Sequence, residues 1–187
     1  RYLDISRREL RRLSTMVEKV LNIAQYEKGE ISLNMELHSI NDLIETVAET
    51  MSMQVQRKNG TLTCELNAQP DIILVDKVHF NNLLYNLIDN SNKYFVDKPE
   101  IYIATKNTNE GVILEISDKG IGMSKESLSR VFDKFYRVPT GNIHNVKGYG
   151  LGLSYVKDIV DMHGGKLNVI SELNKGTTFI ISLTYER

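Results

Sequence analysis

Residues 81–94 read NNLLYNLIDNSNKY, and this stretch predicts a helix with two distinct faces. Leucine and isoleucine recur at helical spacing on one side, which indicates that this side is buried in a core. Asparagine recurs every fourth residue on the other side, at Asn82, Asn86 and Asn90. Asp76 stands upstream, where a carboxylate can cap the first turn of the helix. The stretch therefore predicts a core helix with one polar face.

The asparagine stripe is unusual for a helix. Asparagine is a poor residue for a helix interior, so a repeated pattern of it needs a reason. Its amide oxygen is a hard ligand suited to Mg²⁺, a cation that is commonly shared with the phosphates of a substrate. Lys93, just after the stripe, could meet such a phosphate as a point charge. The alternative is a solvated polar face, although Gln, Glu or Lys would serve there with a smaller loss of helix propensity.

Hydrophobic periodicity on both sides of this helix predicts one α/β domain. Ser39 followed by Asp42 has the spacing of a capping box and predicts a helix start. Residues 107–111 are a turn-rich connection typical of a hairpin, and residues 139–150 lack periodicity and predict a loop. The predicted strands are residues 31–37, 62–66, 72–75, 101–106, 112–117, 167–171 and 177–183, and the predicted helices are residues 40–51, 76–95, 125–131 and 151–163.

Residues 1–28 contain no glycine or proline and predict a long amphipathic helix. A lone helix of this kind must bury its apolar stripe, which predicts a partner hairpin arm or a second subunit. Four arginines between Arg7 and Arg12 make the other side basic, as either a solvated face or a patch that docks a partner. The apolar stripe follows a heptad pattern and consists of Leu3, Leu10, Val17 and Ala24 with Leu13 and Val20.

The composition excludes several classes of protein. Of the 187 residues 41% are hydrophobic and 25% are charged, and the net charge of -1 gives no bulk attraction to nucleic acid or anionic membranes. The single Cys64 cannot form an internal disulfide, and no signal peptide or membrane-spanning run is present. We expect a reducing, cytoplasmic setting. Because Arg1 already lies in helical sequence, we also expect a fragment whose upstream part holds any membrane anchor or sensor.

Nine of the twelve glycines fall between Gly120 and Gly176. Residues 118–122 read DKGIG, so Asp118 ends an apolar strand and a flexible backbone follows it. Such an aspartate can accept a hydrogen bond from an exocyclic amine, or it can simply start an Asx turn.

Residues 148–153 read GYGLGL and lead into a predicted helix. Unobstructed N–H groups there can bind phosphate, or the glycines can form a hinge; the Lys-Ser/Thr ending of a P-loop is missing.

The order of the motifs is more specific than any one of them. Along the chain come an asparagine-rich helix, an Asp-x-Gly-x-Gly stretch, an aromatic cluster, a Gly-x-Gly-x-Gly stretch and a final Gly-Thr-Thr-Phe. This order and spacing resemble the N, G1, F, G2 and G3 boxes of the ATP-binding domain of sensor histidine kinases. The corresponding segments are residues 86–94, 118–122, 132–137, 148–152 and 176–179.

The resemblance implies a fold and two domains. Residues 31–187 resemble the catalytic ATP-binding domain, a two-layer α/β sandwich of the histidine kinase and Hsp90-like ATPase type with a mixed sheet. Residues 1–28 resemble the second helix of the family's dimerisation and phosphoacceptor hairpin. The resemblance further implies a homodimer through that hairpin, a response-regulator receiver domain as partner, and membrane attachment only through missing upstream segments.

The resemblance also implies ATP and Mg²⁺ as ligands and a role for each matched residue. Asn90 would coordinate Mg²⁺, and Asp118 would bind the adenine amine. Arg137 would face the γ-phosphate and act with Asn90 in catalysis, while residues 139–147 would form the ATP lid. The implied ATP-binding residues are Asn86, Asn90, Lys93, Tyr94, Asp118, Gly120, Gly122, Arg137, Lys147, Gly148, Gly150, Leu151, Gly152 and Thr177.

One family motif is absent. The phosphoacceptor box is a helical histidine followed by an acidic residue, and His38, His79, His144 and His163 all lack that neighbour. We therefore expect the chain to bind ATP without phosphorylating itself. Two alternatives remain: a nucleotide-regulated scaffold without kinase activity, and an ATP hydrolase of the same fold. Hydrolases of this fold resemble one another in carrying a glutamate that activates water, and this chain has Asn86 at the matching position. The missing general base disfavours ATP hydrolysis.

Overall fold

The computed structural model describes residues 32–138 and 150–185. The chain divides into two compact units, Arg1–Leu33 and Asn34–Arg187, and every helix and strand given below belongs to the second. The predicted helix of residues 1–28, the predicted lid of residues 139–147, and Lys147 and Gly148 lie outside the described residues. Within the described part, no helix combines the length and the apolar character that crossing a bilayer requires.

The second unit contains four helices and seven strands among its described residues. The elements in chain order are β1 (Glu36–Ser39), α1 (Ile40–Gln56), β2 (Thr61–Leu66), β3 (Ile72–Val75), α2 (Lys77–Ser91), β4 (Glu100–Asn107), β5 (Gly111–Asp118), α3 (Lys125–Arg130), α4 (Gly152–Met162), β6 (Lys166–Glu172) and β7 (Gly176–Thr184).

The strands form two sheets. Strand β1 pairs with β3 in an antiparallel ribbon, and the main sheet has the order β2-β4-β5-β7-β6. In the main sheet β2 is parallel to β4 and the other neighbours are antiparallel, so the sheet is mixed. The predicted hairpin of β4 and β5 is confirmed.

The core lies between the main sheet and the helices. Side chains alternate between the two faces of a strand, and on β5 it is Val112, Leu114 and Ile116 that are buried. Directly opposite residues of β7 share that face, including Phe179 and Ile181. The helices supply the other half of the core, with Ile44, Val47, Leu84, Leu87, Val156 and Ile159 among the buried residues. This confirms the two-layer α/β sandwich.

Several predicted boundaries differ from the structure, including the end of α1, which lies at Gln56 rather than Met51. The first strand begins at Glu36 rather than at Ile31, because its partner β3 has only four residues and ends where Asp76 caps α2. The exposed side chain of Leu37 also departs from the predicted half-buried pattern. Helix α2 ends at Ser91 rather than near Phe95, because Phe95 leaves the helix to form a bridge with Gly120.

The start of α2 and the end of α4 are joined by His163. The backbone N–H of Asp76 donates to Nε2 of His163 at 2.9 Å, and Nδ1 of the same ring lies 2.7 Å from the Ile159 carbonyl oxygen. Because Nε2 accepts and Nδ1 must donate, the ring is held neutral. Burial lowers the pKa of His163, as does nearby His79, while the Ile159 carbonyl and the Asp76 carboxylate act in the opposite direction.

This contact generates a prediction about stability. We expect His163→Ala to lower the free energy of unfolding at pH 8 by about 1–3 kcal/mol, because it leaves the Asp76 N–H without its partner. As the pH falls through about 6.5, the unfolded chain takes up a proton on His163 before the folded chain does. This proton uptake lowers the free energy of unfolding of the wild type, whereas His163→Ala lacks the ring and is not affected. The difference in free energy of unfolding between the wild type and the variant should therefore be smaller in acid.

Urea unfolding at pH 8 and at pH 5.5 would check the prediction. His38→Ala is the control, because it removes a histidine of β1 that does not take part in this helix contact. A His163→Ala penalty that is the same at both pH values, or larger in acid, would contradict the expected neutral ring.

Candidate nucleotide-binding site

The site is built around Asp118, the last residue of β5. Asp118 follows Val112, Leu114 and Ile116 at the two-residue spacing of a strand, so its side chain lies on the face that the helices cover. Thr177 of β7 is paired directly opposite. The sheet thus carries a carboxylate at the edge of its buried face, where apolar residues would otherwise continue.

Three hydrogen bonds hold the Asp118 carboxylate. The backbone N–H groups of Gly120 and Thr177 donate to Oδ1 at 2.8 and 3.3 Å, and the Ser91 hydroxyl donates to Oδ2 at 3.0 Å. Burial raises the pKa of Asp118, and the three hydrogen bonds oppose that rise. The side chain is oriented by partners on α2, on β7 and on the loop that follows β5.

That loop passes very close to the end of α2. A Cβ atom at Gly120 would lie 2.3 Å from the Tyr94 carbonyl oxygen and 2.7 Å from Oδ1 of Asp118. The Ile121 N–H donates to the same carbonyl at 2.9 Å. Gly122 has φ +60°, and a Cβ there would lie 1.9 Å from the Glu172 carbonyl oxygen. The two predicted glycines therefore let the loop fit between the end of α2 and the turn that joins β6 to β7.

The asparagine stripe of α2 meets the start of α4. The Asn86 amide donates to the Asn82 carbonyl oxygen at 2.7 Å, and its Oδ1 would lie 3.0 Å from a Cβ at Gly152. Burial raises the pKa of Tyr155 on α4 to about 12, and the nearby Asn82 side chain acts in the opposite direction. The Asn90 side chain has no hydrogen-bond partner within residues 32–138 and 150–185, which leaves its amide oxygen available to a ligand.

The predicted glycine-rich segment is described from Gly150 onward. Gly150 has φ +72° and its carbonyl oxygen accepts a hydrogen bond from the Phe135 N–H at 2.8 Å. Leu151 is the N-cap residue of α4 and makes no side-chain capping bond. The first N–H groups of this helix thus lack a side-chain acceptor, which is the arrangement that binds an anion.

Not every predicted residue is brought to Asp118. The Lys93 ammonium pairs with Asp89 one turn earlier on α2, with 33% of the lysine side chain exposed. Tyr94 reaches the site through its backbone carbonyl. Arg137 is exposed and immediately precedes Val138, the last described residue of its segment. The structure thus brings Asp118, Gly120 and the Tyr94 carbonyl together and leaves Arg137 near the end of its described segment.

The comparisons with known proteins bear on this site. A family model, that of histidine kinase-, DNA gyrase B- and HSP90-like ATPases, matches residues 75–187, which is more than half of the chain. The chain belongs to this family. The match begins just before the Asp76 cap of α2 and includes Asp118 and all of the predicted glycine-rich segments.

Sensor proteins are the curated relatives that the chain resembles. Over 94% of its length it is 44% identical to the sensor protein RprX of Bacteroides fragilis and, over a similar span, 35% identical to the sensor protein SrrB of Staphylococcus aureus. The chain spans about a third of the length of these relatives, 34% and 30% respectively. Together with the family model, these relatives support a catalytic domain of the sensor histidine kinase type.

Solved structures share the fold. Full-length ShkA in complex with AMPPNP matches with a TM-score of 0.81 at 24% identity, covering 94% of this chain and 37% of that one. The Acinetobacter baumannii histidine kinase AdeS matches with a TM-score of 0.77 at 22% identity, covering 95% of this chain and 81% of that one. At this level of identity the likeness concerns the fold alone.

The residues of the ATPase domain fit a nucleotide with Mg²⁺. Asp118 offers an acceptor to a base amine, and the uncapped start of α4 offers donors to phosphates. No group of three His, Cys, Asp or Glu residues in the described segments could hold a metal ion alone. A single amide oxygen from Asn90, completed by phosphate oxygens and water, matches the way Mg²⁺ is usually bound.

Two residues at the site carry contacts that the sequence did not predict. Ser91 lies on the apolar stripe of α2, in line with Leu84 and Leu87. A polar residue on such a stripe indicates a buried polar contact, so the sequence does contain a signal for Ser91. The Ser171 hydroxyl accepts from the Met123 N–H at 2.9 Å and bonds to Oγ1 of Thr177 at 2.9 Å. A serine inside a predicted strand gives no such signal.

Gly176 packs directly against the backbone of Asp118, so a side chain at this position should disturb the site. Gly176 has φ +108°, and a Cβ there would lie 1.9 Å from the Asp118 carbonyl oxygen. We expect Gly176→Ala to lower the free energy of unfolding by more than about 2 kcal/mol, because backbone strain is added to a clash with backbone. Any folded fraction should bind nucleotide more weakly, since Asp118 must shift.

Gly164→Ala is the matched control. Gly164 also has a positive φ of +67°, but a Cβ there meets nothing within 4 Å. This substitution should cost only backbone strain, about 1–2 kcal/mol, and leave nucleotide affinity unchanged. Denaturant unfolding and nucleotide titration would compare the two variants, and equal effects on both properties would contradict the role of the Gly176 contact.

Proposed function

We propose that residues 31–187 are the ATP-binding catalytic domain that transfers the γ-phosphoryl group of ATP to a histidine upstream of Arg1. A response-regulator aspartate would then take the phosphoryl group from that histidine. Residues 1–28 would be the second helix of a hairpin through which the full-length protein forms a homodimer. The observation that carries the proposal is the Asp118 carboxylate, oriented by three donors at the edge of the helix-covered face.

Asp118 would recognise the base. A carboxylate on the covered face of a sheet is favourable only when its acceptor sites are filled by donors. An exocyclic amine supplies such a donor, and a purine with a carbonyl in that position does not. The site would therefore select adenine, with Gly120 and Gly122 keeping the backbone close to the base.

The phosphates would lie between α2 and the start of α4. Gly152 packs on Asn86 there, and the first N–H groups of α4 have no side-chain cap. Asn90 would hold Mg²⁺, which neutralises phosphate charge during phosphoryl transfer. Arg137, Lys93 and the backbone N–H groups of residues 148–152 would supply further positive potential, with Lys147 and the rest of residues 139–147 closing over the nucleotide.

The acceptor histidine would come from outside the chain. His79 hydrogen-bonds to Tyr155 at 3.0 Å, His163 joins α2 to α4, and His38 lies 3.6 Å from Glu36. His79 and His163 thus serve internal contacts. A missing hairpin helix with a histidine and an acidic neighbour would provide the acceptor, in keeping with a chain that spans a third of its sensor-protein relatives.

The proposed base recognition is tested by calorimetric titration of Mg²⁺ with the non-hydrolysable analogue AMPPNP. We expect saturable one-to-one binding by the wild type and at least about tenfold weaker binding by Asp118→Asn, because a charged acceptor is lost. Asp97→Asn removes the same charge from an exposed position and should bind like the wild type. Absence of binding to the folded wild-type chain would contradict the proposal and favour a scaffold role.

The proposed phosphoryl transfer makes a separate prediction. With ATP labelled on the γ-phosphate, the chain alone should gain no stable label, whereas an added upstream hairpin carrying a histidine should become labelled. Asn90→Ala should abolish this transfer, because the Mg²⁺ ligand is lost. Asn82→Ala, on the same face of α2, should retain it. Acid-labile label on the isolated chain would show that the acceptor lies within it.

The same reactions distinguish transfer from hydrolysis. The carboxylates that could activate water near α2 are already paired, Asp89 with Lys93 and Glu100 with Lys98 and Lys119. Phosphate release should therefore stay far below one equivalent over an hour. Sustained release that Asp89→Asn or Glu100→Gln abolishes would favour the hydrolase alternative.

A further inference from the structure

Ser91 is a buried polar residue and the one side-chain donor among the three that orient Asp118. It is the last residue of α2, the residue is 3% exposed, and it lies on the apolar stripe of the helix. Its hydroxyl is 3.0 Å from Oδ2 of Asp118 and 3.3 Å from the Leu87 carbonyl oxygen. A hydroxyl has one proton to donate, and the closer, charged acceptor binds it more strongly.

The acceptor sites of Asp118 can be counted. An ionised carboxylate has about four lone-pair sites, two on each oxygen. The N–H groups of Gly120 and Thr177 occupy Oδ1, and the Ser91 hydroxyl occupies one site on Oδ2. A single site on Oδ2 is left for a donor from a ligand. Because the Ser91 proton occupies one lone-pair site of Oδ2, its position determines the direction in which the remaining site points.

We propose that Ser91 is a positioning residue that fixes the remaining acceptor site of Asp118 toward the amine of the nucleotide base. This inference rests on the proposed role of Asp118 in adenine recognition and names the residue that gives the recognition its selectivity. Without the hydroxyl, Oδ2 has two free sites. A water molecule or a base in another register can then occupy the second site, and the discrimination between bases falls.

The electrostatics of the site agree with this role. The pKa of Asp118 is raised by burial and lowered by its hydrogen bonds to Gly120, Ser91 and Thr177. Loss of the Ser91 hydroxyl removes one of the donors that favour the anion. The charged side chains on the neighbouring segments form ion pairs of their own, namely Lys119 with Glu100, Lys93 with Asp89 and Lys175 with Glu172.

The test compares ATP with inosine triphosphate, which carries a carbonyl oxygen in place of the amine. Titration of each nucleotide with Mg²⁺ gives a ratio of affinities for the wild type and for Ser91→Ala, from pH 5 to pH 8. We expect the preference of the wild type for ATP to fall about fivefold in Ser91→Ala, the range of one hydrogen bond. The pH at which ATP binding is half lost should also move upward.

Matched variants separate positioning from packing. Ser91→Thr keeps the hydroxyl and should retain the wild-type ratio, whereas Ser91→Cys keeps the size but donates weakly and should behave like Ser91→Ala. Should Ser91→Ala fail to fold, the contrast between the Thr and Cys variants decides the question. Ser52→Ala removes a helix hydroxyl that donates to its own Ala48 carbonyl oxygen, and it should change neither the ratio nor the pH profile.

Two outcomes would overturn the inference. Wild-type binding with an unchanged base ratio and pH profile in Ser91→Ala would refute the role of Ser91 and leave the role of Asp118 intact. Equal ratios in the Thr and Cys variants would do the same. Failure of the folded wild type to bind ATP at all would instead refute the proposed function, and the role of Ser91 with it.

Discussion

The carboxylate of Asp118 is the constraint on which the arrangement of the domain depends. A charged group on the covered face of a sheet is unfavourable unless donors satisfy it. Here the donors come from three places that are distant in sequence, the end of α2 at Ser91, the loop at Gly120 and strand β7 at Thr177. One side chain thus fixes the distances between helix, loop and strand. In the proposed function, the same carboxylate oxygens that these donors satisfy would also recognise the base.

The glycines around this carboxylate follow from the same close packing. At Gly120, Gly122 and Gly176 a Cβ would come within 2.3 Å of a backbone carbonyl oxygen, so no side chain fits at any of them. These three glycines pack backbone against backbone next to Asp118 and the loop that follows it. Gly152 differs, because its neighbour is the Asn86 side chain, which can move. The glycines look alike in the sequence but have different roles. Those near Asp118 are required by close backbone packing, whereas Gly152 lies at the start of α4, where it leaves the first N–H groups of the helix accessible.

Local patterns predicted most of the fold, and long-range contacts account for the rest. The Asp76 cap, the two faces of α2 and the β4–β5 hairpin depend on neighbours in sequence, and the structure confirms them. The end of α2 at Ser91 depends on the pairing of Phe95 with Gly120, and the start of β1 depends on the length of β3. Asp118 was predicted from its motif, while its bond to Ser91 joins residues 27 positions apart and has no local pattern.

In the proposed function, helix α2 would serve both ends of a bound nucleotide. Asn86 contacts Gly152 at the start of α4, and Ser91 contacts Asp118, so the regions proposed for the phosphates and the base are five residues apart along a single helix. At 1.5 Å per residue this separation is about 7–8 Å along the axis. The two anchors are therefore parts of one rigid element. The His163 contact at the far end of α4 joins the same pair of helices, so α2 and α4 are linked at both ends of their contact.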